Sequence, residues 1–547
     1  MLNSFKPHKL PLLLAVLILI CSLWQLGAWG VTESSEARYA EIPREMLLNN
    51  NLVIPQYLGI MHFDKPLMTY WITAAGYTLS GVNPFGARFF LQIALIVQLL
   101  LVYKITFSLF KDKKTALYAL VCYASLPLVL MSVRNLTTDA YLNTFVLSAI
   151  YFHVIFRQKQ QVWALYTFFF ALGLAIFTKG PFALILPLLA IYPINRLLVP
   201  EHRKNIIIHV ILGTILMLAL GSWWFFYLMS TSGEFYDFFI GEQLINRVAH
   251  AEKLNRSQPF WYYFALLPAF IIPVLGLIIN WLANLKNSNR PVNILGIFTI
   301  VIPLLVFSSA SSKLVLYILP ITPFVAICAA YRLTEVSDRA MRTILTASTI
   351  FYGIVILVLF TVSLGFIRAF TVTPTLQLMI FLVVLTAFWG YSLLTKAGLK
   401  HKFLLQLLVL PLFVIPLSTN IMQQKEVEIN STRPIAAFIQ QQMPDANVLV
   451  WNRVLNSMSF NLEKPVYSLK FNHYSLERNT RFQPDDSWKN NLIDIRDTTV
   501  RPYLRTLLAE PSVLLRYKKD EIPDELGWMI QNFPHQKDFD KFTLYYK

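Results

Sequence analysis

Four polar residues stand where long apolar runs begin or end, a costly place for charge. Asp139 opens one run in RNLTTDAY, Lys179 separates two in FTKGP, and Lys313 and Tyr317 begin another in SSKLVLYILP. An ionisable group at membrane depth faces a polar cavity or a partner. Taken singly, each cation reads equally well as a topology or lipid-headgroup anchor. Several groups of both signs on one face imply instead a shared polar cavity, able to receive a charged headgroup while apolar walls hold a lipid tail. Two stretches, 31–87 and 229–257, also carry more carboxylates and aromatics than a connector needs. In the first, VTESSEARYAEIPREMLLNNNLVIPQYLGIMHFDKP, Tyr39, Ile42 and Met46 share a helical face while Glu36, Arg44 and Glu45 point elsewhere. That spacing predicts an amphipathic helix on a membrane surface; the plainer reading is a solvated loop. Asp64, beside Lys65 and a proline between apolar stretches, has the strongest claim to a purpose.

The elements that must position these groups are apolar helices. The chain is 56% apolar and 14% charged, against about 45–50% and about 25% in soluble domains. A span needs about 20 apolar residues, and the runs predict thirteen: 11–30, 88–110, 115–133, 138–157, 162–178, 180–199, 206–228, 258–284, 292–309, 314–332, 343–367, 375–395 and 403–422. The run 67–82, short and rich in Thr, Tyr and Gly, is placed as a helix in or near the interface. With the N-terminus inside, all the inner loops are basic, from KDKK (111–114) to Lys396–Lys402. Most acidic residues fall on the opposite face, which the positive-inside rule makes the outer one. An odd span count puts the C-terminal segment there too.

Charge divides the chain. Residues 1–422 hold 30 Lys+Arg and 14 Asp+Glu, whereas 423–547 hold 17 and 16. This predicts a transmembrane domain over 1–422 and a soluble domain over 423–547. The basic residues sit in short clusters between apolar runs, a topology signal rather than a nucleic-acid surface. Cys21, Cys122 and Cys328 lie inside apolar runs and suggest neither a disulfide framework nor a metal site. Lys6 and Lys9 ahead of the first run suggest an uncleaved signal anchor. In the C-terminal part NVLVW, PVYSL, SVLLR and TLYYK alternate with helical patterns around 433–443, 500–508 and 523–532, predicting a small α/β domain. It has no P-loop and no G-x-G-x-x-G, and its lone Asp538–Phe539–Asp540 reads as chance.

The runs SEARYAEIPREM, HFDKP, LTTDAY, TKGPFAL, EQLINRV, QPFWYY and SSKLVLYILP occur in the order seen in one family. The chain resembles the lipid-to-lipid glycosyltransferases related to protein O-mannosyltransferases. Within them it is most similar to the bacterial branch that moves 4-amino-4-deoxy-L-arabinose from undecaprenyl phosphate to lipid A. The resemblance implies an all-α polytopic GT-C type membrane domain, a small C-terminal α/β periplasmic domain, and an active site at the periplasmic face of the bacterial inner membrane, carried by loops 31–87 and 229–257. It further implies that Asp64 and Lys65 match an acidic-Lys-Pro element where a divalent metal can bind. Asp139, Lys179, Arg247 and Tyr317 match positions lining the donor-phosphate cavity, Lys65 is expected to bind the same phosphate, Asp64 joins Glu33 and Glu36 as a catalytic candidate, and Arg38 and Tyr39 belong to the first-loop helix. The family motif reads D-E-x-R-Y, whereas here Ser35 precedes Glu36, so the acid often assigned as catalytic is missing.

The implied donor is a polyprenyl-phosphate sugar, and the implied acceptor lipid A or another envelope component, with membrane lipids around and no nucleic acid. Departure of polyprenyl phosphate builds negative charge that Lys179 and Arg247 can stabilise, with Tyr317 donating a hydrogen bond. Glu33 is favoured over Glu36 as substitute base, with Glu36 a partner of Arg38 or Lys65; an acceptor phosphate needs no base. Glycosylation of a protein or another glycan is the nearest alternative. A secondary transporter would show internal repeats and charges near the midplane, and neither is seen.

Overall fold

The structure is a computed structural model describing residues 10–199, 206–246, 258–286, 290–364, 373, 375–472 and 480–547. Among these, nine helices are long and apolar enough to cross a membrane. A tenth span results if Tyr262–Phe270 and Ile272–Ala283, bent by 115° at their junction, count as one. The chain is therefore a multi-pass membrane protein. Each of the thirteen expected segments contains helix among its described residues, with 365–367 lying outside them, but three fall short of a full span by length. Leu10–Leu23 and Pro181–Leu197 are short. The segment expected at 115–133 is broken into Lys113–Ala124 and Pro127–Ser132. Pro127 lacks an N–H and disfavours helix at Leu126, which takes an extended ψ of 121°.

The described residues group into two compact units, one of Met1–Gln25 with Leu91–Ser418, the other of Leu26–Phe90 with Thr419–Lys547. The second unit thus joins the first outer segment to the C-terminal residues, a grouping that a single cut at 422/423 does not contain.

In the first unit the helices Thr138–Lys159 and Val162–Lys179 form an antiparallel hairpin. Gln160, in the left-handed region at φ 50°, closes the first helix. Phe156, Leu165, Phe168 and Leu172 fill the seam. Because the helices are nearly equal in length, the start of one lies beside the end of the other. The 3-10 turn Val315–Ile321 packs against the first.

In the second unit β1 (Gln56–Tyr57) and β2 (Ile60–Met61) make a small hairpin. A six-stranded sheet comprises β3 (Asn447–Trp451), β4 (Tyr467–Lys470), β5 (Leu492–Asp494), β6 (Ser512–Tyr517), β7 (His535–Phe539) and β8 (Phe542–Tyr546), in the order β5-β4-β3-β6-β8-β7. The first four are parallel, and β8 runs antiparallel to both its neighbours, β6 and β7. Alternate side chains of a strand face opposite sides. Accordingly Val448 and Val450 pack with Ile435, Ile439 and Met458, while Leu449 and Trp451 pack with Leu504, Leu508 and Met529. Helices cover both faces, which is why the central strands read as unbroken apolar runs. The α/β domain expected from the C-terminal sequence is present.

The first outer segment folds as a helix, Ser35–Leu48, then the β1–β2 hairpin, then a helix, Met68–Ser80. The first of these helices is where expected, but it is not a surface helix with a solvated polar face. Glu36 and Ala37 and every residue from Tyr39 to Met46 are buried. Met68–Ser80 packs on one side and the C-terminal helix Asn456–Leu462 on another. Its charges are therefore enclosed: Arg44 donates to both oxygens of Glu41 at 2.8 and 2.7 Å, and Glu45 accepts the Leu58 N–H at 2.7 Å.

Candidate active site

In the first unit, three of the five residues expected at a donor phosphate come together, and Lys65 belongs to the other unit. Asp139 sits in the first turn of Thr138–Lys159, behind an N-cap at Thr137, where the helix dipole favours negative charge. Lys179 is the last residue of Val162–Lys179, where the dipole favours a cation. The hairpin brings these two ends together, and Lys179 Nζ donates to Asp139 Oδ1. The same ammonium lies 4.3 Å from the centre of the Tyr317 ring. Gly180 ends the helix directly after Lys179 at φ 89°, a conformation glycine adopts without strain. Lys313 is tied by its ammonium to the Gln258 and Ala310 carbonyls at 2.7 and 2.5 Å. It locks the chain that leads into Tyr317. Tyr263, which the sequence did not single out, donates to the Leu314 carbonyl at 2.9 Å and holds that chain from the other side. Arg247 lies outside the described residues.

In the other unit the expected residues separate into two groups. Arg38 lies among Tyr57, Tyr39, Asp64 and Tyr70; burial works to lower its pKa, and those phenols and the carboxylate raise it. Asp64 is 3.7 Å from His62 Nε2, and the Tyr39 and Tyr70 rings are 5.8 Å apart. Tyr70 is buried, and its hydroxyl has no hydrogen-bond partner among the described residues. Lys65 follows Asp64 on the same turn of chain. For a divalent cation Asp64 and His62 offer two ligands. No group of three His, Cys, Asp or Glu able to hold a metal exists among the described residues, so this donor set falls short of the metal site the resemblance implies.

Glu36 belongs to the second group. Its oxygens accept from Arg88 Nε at 2.8 Å and Nη2 at 3.0 Å, and from the Thr32 N–H and hydroxyl, both at 2.9 Å. The partner expected for Glu36 was Arg38 or Lys65; it is Arg88. The Arg88 guanidinium is fully buried, donates to the carbonyls of Leu26, Trp29 and Gly30, and lies 4.1 Å from the Trp29 ring centre. The only sequence signal for Arg88 was a cation at the first residue of an apolar run. Glu33 precedes the helix, which begins at Ser35, so the two glutamates do not share a helical face. Glu33 is half-buried and accepts the Ser457 N–H at 2.6 Å. Burial pushes its pKa up to about 7, opposed by Ser457 and Arg38. A carboxyl in that range can take and return a proton near neutral pH.

Residues 64–225 match the family described as dolichyl-phosphate-mannose-protein mannosyltransferase. The chain is 28% identical over 374 residues to an undecaprenyl phosphate-alpha-4-amino-4-deoxy-L-arabinose arabinosyl transferase of Pectobacterium carotovorum, the match covering 66% of each chain. It is 30% identical over 345 residues to a like-named enzyme of Sodalis glossinidius, covering 61% of each. The matched stretch thus spans just under two thirds of those relatives. The crystal structure of ArnT from Cupriavidus metallidurans bound to undecaprenyl phosphate superposes with a TM-score of 0.77 over 98% of this chain and 97% of that one, at 19% identity. The resemblance read from the motifs is borne out by these likenesses, and the fold is that of the Cupriavidus protein.

Proposed function

We propose that this chain is a glycosyltransferase that moves a sugar, 4-amino-4-deoxy-L-arabinose, from a polyprenyl phosphate to lipid A at the periplasmic face of the bacterial inner membrane. The observation that carries the reading is the Lys179 ammonium held between Asp139 and the Tyr317 ring at one end of an apolar hairpin. The activity for which the sequence relatives are named supplies the sugar and donor. The acceptor oxygen attacks the anomeric carbon as the bond to the polyprenyl phosphate oxygen breaks, in one inverting displacement. The leaving phosphate takes the electron pair. Lys179 turns from Asp139 toward that phosphate, and Arg247 adds a second cation. Preorganised charge of this kind is worth most where water is excluded. Arg38, beside Tyr39, holds Asp64 in place on the first outer segment, and Lys65 is a further cation for the donor phosphate. If the acceptor is a hydroxyl, Glu33 takes its proton; Glu36, saturated by Arg88 and Thr32, is a positioning residue.

The test combines two measurements. Mass spectrometry of lipid A and envelope glycans, from cells with and without the gene, should show an added aminopentose only with it. The purified chain with polyprenyl-phosphate aminoarabinose should release polyprenyl phosphate only when lipid A is present. Release with a protein acceptor instead would favour the protein-glycosylating alternative, the activity named by the family matched over 64–225.

A further inference from the structure

The hairpin helix that starts at Asp139 ends at a second polar site. Arg157 lies eighteen residues after Asp139 on Thr138–Lys159, a rise of about 27 Å, close to the hydrocarbon thickness of a bilayer of about 30 Å. Its side chain therefore belongs to the membrane face opposite the Asp139–Lys179 pair. There a cavity of about 560 Å³ opens between the ends of Thr138–Lys159 and Ile185–Leu197. It is lined by Arg157, Gln160, Asn195, Arg196 and Tyr192, and its apolar wall includes Phe156 and Val199.

Two arginines from different helix ends converge on one cavity. Arg157 directs Nη2 to the Leu198 carbonyl at 3.0 Å, which fixes its guanidinium at the rim. Arg196 has no carboxylate partner among the described residues; it lies over the Tyr192 ring at 5.6 Å from its centre and reaches the Tyr192 hydroxyl only at 3.4 Å. Asn195 is positioned from behind by His153 Nε2 at 3.0 Å. The plainer account, two cations snorkelling independently to the headgroups, explains neither their convergence nor the apolar wall between them. A guanidinium pair flanked by amide and phenol donors matches phosphate oxygens, and the apolar wall matches the start of an acyl chain.

We infer that this cavity binds the phosphate headgroup of an anionic phospholipid, on the membrane face opposite the sugar-transfer site. A lipid seated there bridges the ends of the two helices and braces the hairpin that carries Asp139. A basic cavity at the ends of two apolar helices is physically suited to that class of ligand. The site is independent of the identity of the transferred sugar.

The experiment is native mass spectrometry of the purified full chain, titrated with phosphatidylglycerol or phosphatidylcholine. One phosphatidylglycerol per chain should be retained in preference to phosphatidylcholine. Arg196→Gln should reduce that preference about fivefold, the effect of one arginine near an anionic headgroup. Arg157→Gln should do the same, and if it fails to fold, Arg196→Gln alone decides. Lys159→Gln, which removes an exposed cation from the same helix end without touching the cavity, should leave the preference unchanged. Equal loss in Lys159→Gln, or none in Arg196→Gln, overturns the site. Displacement of the bound lipid by millimolar inorganic phosphate overturns the lipid assignment in favour of a free anion.

Discussion

Glu36 and Arg88, 52 residues apart, form a bidentate pair with both side chains essentially sealed from solvent. The pair closes the first outer segment on itself, since Arg88 also gathers the carbonyls of Leu26, Trp29 and Gly30. Removing one member leaves the other charge buried and alone, which destabilises by about 3–5 kcal/mol. Arg88→Met should therefore lower the thermal unfolding midpoint in detergent sharply. The double variant Arg88→Met with Glu36→Gln should recover much of the loss. An unchanged midpoint in Arg88→Met would show that the pair holds nothing together.

The pair also marks where the sequence stopped being legible. The apolar runs located every spanning helix, because hydrophobicity over about 20 residues is a local signal. The ends Asp139, Lys179 and Tyr317 were legible for the same reason, as polar groups interrupting those runs. The partner of Glu36 was not, since a bidentate contact across 52 residues leaves no local pattern. Nor was the enclosure of the helix Ser35–Leu48, because its cover includes Asn456–Leu462, a short polar-looking helix at the far end of the chain. Strand β7, HQKDF, escaped notice because an exposed edge strand needs no apolar residues.

Glu33 gives a pH dependence of definite sign. Its pKa is raised from 4.5 to about 7 by burial, so the folded state holds the proton more tightly than the unfolded chain. The stability this contributes is fully present below pH 4.5 and is lost as pH rises through about 7. Glu33→Gln should flatten that decline, measured as thermal midpoint against pH. A base must be ionised, so turnover on a hydroxyl acceptor should rise over the same range and lose that rise in Glu33→Gln. A phosphate-bearing acceptor should show neither effect. Loss of turnover on both acceptors alike would mean that Glu33 serves only the contact with Ser457.

Lys179 and Asp139 separate charge stabilisation from folding. Lys179→Ala should reduce turnover about 10²–10³-fold, as removal of an oxyanion donor does, and should also lower stability by leaving Asp139 unpaired. Adding Asp139→Asn should restore the unfolding midpoint without restoring turnover. Arg247→Ala should reduce turnover by a similar factor. Near-normal turnover in both single variants would make the two cations anchors only.

Asp64→Asn keeps the side-chain shape and removes the charge that faces Arg38 and His62. Turnover should fall sharply while the unfolding midpoint changes little, because Asp64 is on the rim of its cluster rather than in the core. Full activity, with no metal bound to the wild-type chain by elemental analysis, would leave Asp64 without a role.

Two glycines should fail for different reasons, and the contrast tests how the Lys179 site is placed. At Gly30 a Cβ would meet Ser431 Oγ at 2.2 Å and Arg433 Cβ at 2.8 Å. Gly30→Ala should therefore lower stability through crowding, since the backbone there approaches the Glu426–Arg433 pair. Around Gly180 no described residue other than its chain neighbours comes within 4 Å of the position a Cβ would take, so crowding is no issue. The obstacle is the backbone, at φ 89° and ψ −169°. A non-glycine residue in that region costs about 1–3 kcal/mol. The chain can relieve the strain by extending or unwinding the helix end, which turns Lys179 away from Asp139 and Tyr317. Gly180→Ala should thus lose turnover out of proportion to its small change in unfolding midpoint, whereas Gly30→Ala should lose the two together. If Gly180→Ala keeps normal turnover, the helix end tolerates the change and the position of Lys179 does not depend on the turn that follows it.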